Sequence, residues 1–392
     1  MTTPQLTASS LVTAAGCGRR ATLDALQAGS SGLRPHDAGG RTLHAGAIAG
    51  LDAVALPRQL ADYDCRNNRI AELTLATDGF AEQVAAAIAR HGRDRVGVFV
   101  ATSTGGMRET EAYFRELGSA AALPESFPLA TVHRLSATTD YLRHRLGLGG
   151  PAQSISTACS SSAKVWASAA RHMAAGLCDA AVIGGVDSLC RTTLFGFHAL
   201  ELTASGLCRP FAPDRDGLCL GEAGALGLLE AGPAAAGNLA LLGYGESTDA
   251  HHMSTPHPEA LGARLALQRA LAAAGLEPGA IDYVNLHGTA TPFNDAAEDM
   301  AVVAELGTQV PASSTKGWTG HTLGAAGMVE ALLCEISVNE GLLPQTLPTT
   351  EVDPALGTQV LLEPQRTKVR RVLSNSFGFG GNNCALILGA PS

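Results

Sequence analysis

The chain has 392 residues and a formal net charge of −9, and 16% of its residues are charged. The acidic balance excludes a global basic footprint for nucleic acid, and an aromatic content of 4% excludes a stacking platform for single strands. At this length the chain can bury two hydrophobic cores, because single cores stop growing near about 250–300 residues.

The sequence shows neither a membrane span nor the pattern of a signal peptide. No apolar run reaches the roughly 18 residues of a membrane span, and Met1–Gln5 lacks the charged and apolar regions of a signal peptide. The nine cysteines are scattered, without a Cys-x-x-Cys pair that would indicate zinc or redox chemistry. We therefore expect a cytoplasmic protein with free thiols, no nucleic-acid partner and no membrane span.

Short apolar runs typical of buried strands alternate with helical patterns in the first half of the chain. The predicted strands are Leu6–Ala15, Arg95–Thr102, Ala180–Gly184 and Leu226–Glu230. The predicted helices are Ala21–Gln27, Ile70–Arg90, Thr131–Leu146 and Ala163–Ala175. A loop is predicted at Pro124–Pro128, and the proline and small residues of Ala231–Gly237 indicate a domain boundary.

The second half repeats this alternation. Its predicted strands are Leu239–Gly243, Tyr283–Leu286, Val372–Ser376 and Cys384–Leu388, and its predicted helices are Glu259–Ala274 and Gly324–Glu340. In each half a turn rich in Ser and Thr runs into a long helix of small residues, at 156–175 and at 313–340. The pattern predicts an α/β layered protein with two related halves, residues 1–232 and 238–392.

One cysteine lies where a predicted strand meets a helix. Cys159 lies in the stretch Ser154–Ser162, which follows an extended run and precedes the helix predicted at Ala163–Ala175. A thiol at a helix N-terminus meets unpaired N–H groups and the positive end of the helix dipole, and both favour the nucleophilic thiolate. The stretch alone is equally compatible with a buried structural cysteine, since free cysteines are commonly buried.

Three further motifs stand at predicted strand or turn ends, where side chains from different strands can meet. They are Asn285–Asp295, which contains His287 and precedes Glu298; Ser313–Gly327, which contains Lys316 and His321 and precedes Glu330; and Asn375–Asn383, which contains Phe377 and Phe379.

Together with the Cys159 stretch, these motifs resemble the β-ketoacyl-[acyl-carrier-protein] synthase family, in the elongating Cys-His-His branch of the thiolase superfamily. The resemblance implies a thiolase-like α/β fold, with two similar αβαβα halves around buried mixed sheets. The N-terminal half would carry the nucleophile and the C-terminal half both histidines. The implied reaction is a decarboxylative Claisen condensation of an acyl-enzyme with malonyl-acyl-carrier protein, which gives a 3-oxoacyl thioester.

The implied roles suit the residue types. Cys159 would store the acyl chain as a thioester, which splits one difficult condensation into two steps. Neutral His287 and His321 would donate N–H groups to the enolate oxygen left by decarboxylation. Backbone amides at Cys159 and Phe379 would receive the second oxyanion, and the Phe379 ring would gate the nucleophile.

Other motif residues match supporting positions of the family. Lys316 would orient and polarise the second histidine region, and Glu298 would pair with it. Thr289 and Thr291 would hold the phosphopantetheine arm, with Phe377 also in the substrate site. No metal is expected in the chemistry, although related enzymes often bind a structural monovalent cation near the Glu330 position. Each charged residue is also compatible with a solvated surface role.

The resemblance also implies partners. Phosphopantetheine would arrive on an acidic acyl carrier protein, so no resident cofactor is expected. Because the chain is itself acidic, docking would need a local basic patch, for which Arg66 and Arg69 occupy family-like positions. The two arginines are equally compatible with solvated loop charges. A dimer is implied, either of two identical chains or with a ketosynthase-like chain length factor.

Several positions depart from the family pattern. Gly317 stands where Ser is usual, Asn382 where Thr is usual, and His133-Arg134 where apolar and amide residues are common near the acyl tunnel. These departures resemble ketosynthases of type II polyketide systems, such as those making aryl polyenes. A non-catalytic chain length partner is the alternative function, but such partners lose the nucleophile. Initiating synthases use Cys-His-Asn, and a cysteine hydrolase has no need of two oxyanion-facing histidines.

Overall fold

The computed structural model describes residues 3–118, 127–232 and 238–390. Its strands are β1 (Pro4–Thr13), β2 (Gly16–Cys17), β3 (Arg34–Asp37), β4 (Thr42–Gly46), β5 (Val96–Ala101), β6 (Ala152–Ile155), β7 (Ala180–Asp187), β8 (Leu220–Gly221), β9 (Ala223–Ala231), β10 (Leu239–Thr248), β11 (Tyr283–Leu286), β12 (Ala312–Ser314), β13 (Leu342–Leu343), β14 (Gln365–Arg366), β15 (Arg371–Gly378) and β16 (Asn382–Gly389). Its helices are α1 (Arg19–Ala28), α2 (Arg66–Leu75), α3 (Phe80–His91), α4 (Met107–Leu117), α5 (Ala137–Leu146), α6 (Ser161–Ala174), α7 (Arg191–Ala199), α8 (Leu261–Ala274), α9 (Pro292–Leu306), α10 (Lys316–Thr319) and α11 (Ala326–Glu340). Most of the loop predicted at 124–128 and of the linker predicted at 231–237 lies outside the described residues.

The main sheet has the strand order β12-β11-β15-β16-β10-β1-β9-β7-β5-β6. Read outwards from its centre, each side begins with two antiparallel pairings and ends with two parallel ones. The sides meet where β1 pairs with β10, at Gln5–Ala240 and Leu6–Leu239. This repeated order confirms the predicted α/β fold with two similar halves, whereas the exact domain boundary stays a prediction.

Three large apolar cores separate the layers of the described part of the chain. Helices α6 and α11 lie in the middle, packed on each other and between strands of both halves, in a core that contains Trp166 and Met328. Helices α2, α3 and α5 cover the outer face of the N-terminal strands, and α8 and α9 contribute to the outer core of the C-terminal strands. Burial of both sheet faces explains why the central strands read as continuous apolar runs.

The composition of helix α11 explains its position in the central core. Its residues are apolar on every side, and a helix of this kind belongs in a core. At Gly327 an added Cβ would lie 2.6 Å from the backbone nitrogen of Ala163, so glycine permits the close contact with α6. The one charged side chain near its start, Glu330, is buried and therefore needs a partner.

Several helix predictions differ from the structure. The helix predicted at 70–90 is two helices, α2 and α3, separated by Asp78 and Gly79, which both have positive φ. The helix predicted at 131–146 is a π-turn at Leu129–His133 followed by α5, because Arg134 is extended. Helices α4, α7 and α9 were not predicted, although Thr291-Pro292 is a recognisable start signal for α9. Over the part of the chain that the structure describes, no helix has the length and apolar character to cross a membrane.

Candidate active site

The four sequence motifs converge at the ends of strands β6, β11, β12 and β15. Cys159 stands in the turn between β6 and α6, after Ala158, whose φ of 52° is the left-handed conformation that a non-glycine residue rarely adopts. The turn leaves the Cys159 side chain 6% exposed, close to the start of α6. Strain at this position is held by the surrounding structure, as is common at reactive sites.

Both predicted histidines contact the same small volume as Cys159. The His321 Nε2 atom lies 3.0 Å from the Cys159 Sγ atom. The rings of His287 and His321 are nearly perpendicular, with centroids 5.4 Å apart and an interplanar angle of 87°. One ligand atom from each of the three residues lies within 4.8 Å of the others, so the trio surrounds a single reacting centre.

Glu298 on α9 holds the backbone that carries His287. Its two carboxylate oxygens accept N–H groups of His287 and Gly288, each at 2.7 Å, and the Asn375 side-chain amide donates at 3.0 Å. Burial raises the pKa of Glu298 to about 7, against the effect of these donors. The prediction that Glu298 pairs with Lys316 is wrong, because its oxygens face the His287 turn.

Lys316 pairs instead with Glu330. The Lys316 Nζ atom lies 2.5 Å from Glu330 Oε1, and both side chains are 3% exposed. The ammonium also donates to the His287 carbonyl and lies 3.3 Å from His287 Nδ1. Its direct contact is therefore with the first histidine rather than with the region of His321.

This contact defines the tautomer of His287. An ammonium has only protons to give, so His287 Nδ1 accepts and Nε2 carries the ring proton. Burial, followed by the charge of Lys316, holds the pKa values of His287 and His321 well below the usual range. Both imidazoles are neutral near pH 7, as N–H donors to a developing oxyanion must be.

Burial disfavours the Cys159 thiolate, which the sequence expects the helix N-terminus to favour. Burial raises its pKa to about 11, while the charge of Lys316 and the backbone N–H of Phe379 act in the opposite direction. Desolvation has the largest effect, because the charged form loses its contact with water.

The backbone of Phe379 is directed at the nucleophile. Its N–H donates to Cys159, and at Gly378 an added Cβ would lie 2.9 Å from the Thr157 carbonyl and 3.1 Å from the Ser160 nitrogen. Glycine is therefore needed to bring this backbone against the Cys159 turn. The Phe379 ring packs beside Phe197, with centroids 5.6 Å apart. The position suits the predicted oxyanion donor, whereas the gating role stays a prediction.

A cavity of about 400 Å³ leads to the three catalytic side chains. Thr289 and Thr291 line it, with their hydroxyl oxygens 2.8 Å apart, and so does Phe377, whose ring lies 6.0 Å from that of His287. All three predicted substrate residues therefore face the space that a substrate arm would occupy.

Three buried oxygens without a hydrogen-bond partner in the described part of the chain, one of them on Glu330, are of the kind that suits the monovalent cation that the family implies. Glu330 Oε2, Asn285 Oδ1 and Asn375 Oδ1 accept no hydrogen bond from the described residues. They belong to α11 and to the adjacent strands β11 and β15. Oxygen atoms are the donors that hard cations prefer, so the residues present suit such an ion.

The two arginines predicted for carrier docking have partners within the chain. Arg66 is 11% exposed and donates to buried Glu222 at 2.7 and 2.5 Å, so it is not a free surface charge. Its docking role is not supported, because the guanidinium neutralises a buried carboxylate. Arg69 is 32% exposed and pairs with Asp64, and its docking role stays a prediction.

Two departures from the family pattern have local causes. At Gly317 an added Cβ would lie 1.7 Å from the Leu347 carbonyl oxygen, which leaves no room for the usual serine. Asn382 accepts a hydrogen bond from Lys164 on α6 at 3.3 Å.

The third departure, His133, lies elsewhere. It contacts Thr110 at 2.9 Å and lines a second cavity of about 530 Å³ between α4 and α7.

Asp187 is a buried residue that the sequence analysis assigned no role. Its Oδ1 atom accepts N–H groups of Ser103 and Thr104 at 2.8 Å, and its Oδ2 atom accepts the Ala325 N–H at 3.0 Å. It thus ties the end of β7 to the segment that follows His321. The sequence could have pointed to Asp187, because a carboxylate at the end of a buried strand, shortly after Gly184-Gly185, is typical of a functional site.

Two sequence profiles match the chain: "Beta-ketoacyl synthase, N-terminal domain" at residues 70–234 and "Beta-ketoacyl synthase, C-terminal domain" at residues 239–350. Among named relatives, the 3-oxoacyl-[acyl-carrier-protein] synthase 2 of Rhizobium meliloti (strain 1021) is 36% identical over 315 residues, which cover 74% of this chain and 73% of the relative.

Solved structures give the same picture. A ketosynthase from Xenorhabdus doucetiae, in complex with its chain length factor, is 38% identical with a TM-score of 0.92, covering 100% of this chain and 98% of the other. The ishigamide ketosynthase/chain length factor is 26% identical with a TM-score of 0.89, covering 100% of both chains.

Proposed function

Since the chain belongs to the β-ketoacyl synthase family, we propose that it elongates acyl chains by decarboxylative condensation with malonyl-acyl-carrier protein. It is an acyltransferase, and the product is a 3-oxoacyl thioester on the carrier protein. The observation that carries the proposal is the buried trio, in which His321 Nε2 lies 3.0 Å from Cys159 Sγ and His287 is fixed as an N–H donor by Lys316.

Acyl loading uses Cys159 and His321. The sulfur attacks the carbonyl of the incoming thioester, its proton passes to His321 Nε2, and the carrier thiol leaves with that proton. His321 Nδ1 makes no hydrogen bond within the described part of the chain, so neither tautomer of this ring is enforced. His321 can therefore accept a proton in loading and donate an N–H in condensation, whereas His287 is restricted to donation.

Condensation uses both histidines. Loss of CO2 from the malonyl thioester places negative charge on its carbonyl oxygen, where the N–H groups of His287 and His321 stabilise the enolate. The carbanion attacks the acyl carbonyl on Cys159, and the new oxyanion receives the Phe379 N–H. Collapse of this intermediate expels the Cys159 thiolate and completes the carbon–carbon bond.

These steps draw on one thiol, two imidazoles and backbone amides, so we propose that the enzyme needs no resident organic cofactor. Phosphopantetheine is brought by the carrier protein and lies along Thr289 and Thr291. A monovalent cation held by Glu330, Asn285 and Asn375 would satisfy their free oxygens and stabilise the strand ends beneath the site.

Assembly and pathway follow from the relatives. The Xenorhabdus doucetiae ketosynthase was solved with its chain length factor, and we propose a heterodimer of that kind, with a homodimer as the other arrangement. The proposed pathway is a type II polyketide pathway of the aryl polyene kind, in the cytoplasm. A role as the non-catalytic subunit itself is disfavoured, because Cys159, both histidines and Lys316 are present and in contact.

Intact-protein mass spectrometry with acyl-carrier thioesters of varied length and unsaturation tests the proposal. We expect a single acyl adduct on wild-type Cys159, none on Cys159→Ala, and conversion to 3-oxoacyl-carrier protein when malonyl-carrier protein is added. His321→Ala should retain more loading than condensation. Persistent acylation of Cys159→Ala would show that the covalent role is wrong, and the preferred chain would separate fatty-acid from polyene substrates.

A further inference from the structure

The three catalytic side chains have the composition of a metal site. Zn²⁺ prefers cysteine sulfur and histidine nitrogen, and three protein ligands with one open position are common for it. One donor atom each from Cys159, His287 and His321 lies within 4.8 Å of the other two. The residues are far apart in sequence, which explains why the absence of a Cys-x-x-Cys pair does not exclude such a site.

We propose that Cys159, His287 and His321 form an inhibitory site for a thiophilic divalent metal ion, with Zn²⁺ as the physiological candidate. Binding replaces the Cys159 S–H proton by the metal, and the proton leaves to solvent. The ion then occupies the position of the acyl carbonyl, so metal and acyl group exclude each other. The proposal concerns binding and holds whatever chain the enzyme elongates.

The Cys159–His321 pair needs only a small adjustment to seat the ion, and His287, whose donor atom lies within 4.8 Å of the other two, closes on it from the third side. Ideal Zn–S and Zn–N bonds at a tetrahedral angle place sulfur and nitrogen about 3.5 Å apart. The observed separation between Cys159 Sγ and His321 Nε2 is 3.0 Å, so the two side chains must part by about half an ångström. The cavity of about 400 Å³ that reaches all three residues provides the path and room for a water ligand.

Lys316 opposes the metal. A ligating histidine normally gives its second N–H to an acceptor, which makes the first nitrogen a better ligand. Here Lys316 donates to His287 Nδ1 at 3.3 Å and adds a positive charge, so it biases His287 towards the N–H donor needed in catalysis. Metal binding therefore requires the Lys316–Nδ1 contact to break, while Lys316 keeps its contacts with Glu330 and the His287 carbonyl.

Removal of Lys316 should consequently tighten metal binding while it damages catalysis. We expect Lys316→Met to bind Zn²⁺ at least about tenfold more tightly than wild type, because the loss of charge repulsion and of the competing donor at His287 outweighs the loss of the support that the ammonium gives to the Cys159 thiolate. An adventitious site elsewhere on the chain would not respond in this direction, which makes this variant diagnostic.

Co²⁺ titration of the full chain, after chelator treatment, measures the site without reference to activity. We expect one equivalent with a thiolate-to-cobalt charge-transfer band, lost in Cys159→Ser and weakened in His321→Ala. Cys17→Ser and His251→Ala, which alter an exposed thiol and an exposed histidine, should bind as wild type does. Zn²⁺ should displace Co²⁺, block acyl loading and be reversed by chelator.

A second measurement on the unmodified chain guards against misfolded variants. Zn²⁺ should protect Cys159 from alkylation by iodoacetamide in mass spectrometry and leave Cys17 unprotected. Equal Co²⁺ affinity in wild type and Cys159→Ser, unchanged or weaker binding in Lys316→Met, or no protection of Cys159 would each overturn the proposal. Loss of condensation activity alone, with the cobalt spectrum intact, would instead count against the proposed function.

Discussion

Lys316 and Glu330 form a buried ion pair at 2.5 Å. The same ammonium contacts His287 at the ring nitrogen Nδ1 and at the backbone carbonyl. The pair links α10 to α11 and sets the proton position on a catalytic ring. The cost of removing both charges from water offsets much of their attraction, so the pair adds little to net stability. Its main effect is to hold Lys316 beside His287.

Glu330→Gln should damage both folding and condensation. The substitution leaves the Lys316 charge buried without its carboxylate, and breaking a buried pair costs about 3–5 kcal/mol. Condensation should fall more than acyl loading, because His287 acts in the former. Urea unfolding and the two half-reaction rates measure these effects.

The matched control for that substitution is Glu335→Gln on the same helix. Glu335 pairs with Arg19 at 2.9 Å, with the Arg19 side chain 32% and the Glu335 side chain 14% exposed, and it accepts a hydrogen bond from Ser9 that a glutamine can keep. Loss of a partly solvated pair should cost about 1 kcal/mol or less and leave condensation unchanged. Equal losses for the two variants would contradict a special role for Glu330.

The pH dependence of Cys159 reactivity follows from its burial. With a pKa of about 11, its thiolate fraction rises tenfold for each pH unit through the neutral and mildly alkaline range. Alkylation by iodoacetamide should therefore increase steadily from pH 7 to pH 9, whereas a free cysteine levels off above its ordinary pKa of about 8.5.

Site-specific alkylation rates from mass spectrometry, with N-acetylcysteine as the reference thiol, measure this. Lys316→Met should lower the rate at each pH, because the ammonium favours the thiolate. A plateau for Cys159 below pH 8 would show that the helix N-terminus outweighs desolvation.

Sequence reasoning identified Cys159, His287 and His321 because each stands in a local motif at the end of a strand. It paired Lys316 with the wrong carboxylate, because the choice between Glu298 and Glu330 depends on how α9 and α11 pack. The effect of burial on Cys159 was missed for the same reason, since the tertiary core that buries the sulfur cannot be read from a local stretch.

Arg66 illustrates the long-range limit of the same reasoning. Its partner Glu222 lies 156 positions away, so a docking charge and a structural one look alike in sequence. The alternation of strands and helices, by contrast, is a local pattern, which explains why the two-halved α/β architecture was predictable although helices α4, α7 and α9 were not.

Asp187 is a positioning residue for His321. In Asp187→Asn, Oδ1 can still accept the N–H groups of Ser103 and Thr104, but an NH2 group faces the Ala325 N–H. The segment from His321 to Ala325 then loses its anchor at Ala325, while His321 keeps its backbone bonds to Cys219 and Gly221. We expect condensation to fall by about tenfold, with a smaller change in acyl loading, because one buried donor is unpaired.

Single-turnover rates of loading and condensation separate this effect from simple loss of fold. Asp179→Asn is the control, since Asp179 pairs with Arg95 on the surface, where its side chain is 46% exposed. If Asp187→Asn reduced loading and condensation equally, its role would be structural rather than directed at His321.

Gly317→Ser introduces the residue that is usual at this position in elongating relatives, yet here it should be destabilising. The Leu347 carbonyl oxygen lies 1.7 Å from the position of an added Cβ, and it belongs to the backbone, so it cannot rotate away. Overpacking of this severity costs about 3 kcal/mol or more. Because Gly317 follows Lys316, the forced shift should also reduce condensation.

Gly279→Ser is the control, since no atom lies within 4 Å of its added Cβ. Unfolding midpoints that match for Gly317→Ser and wild type would mean that the Leu347 segment yields, and that Gly317 is not required by packing.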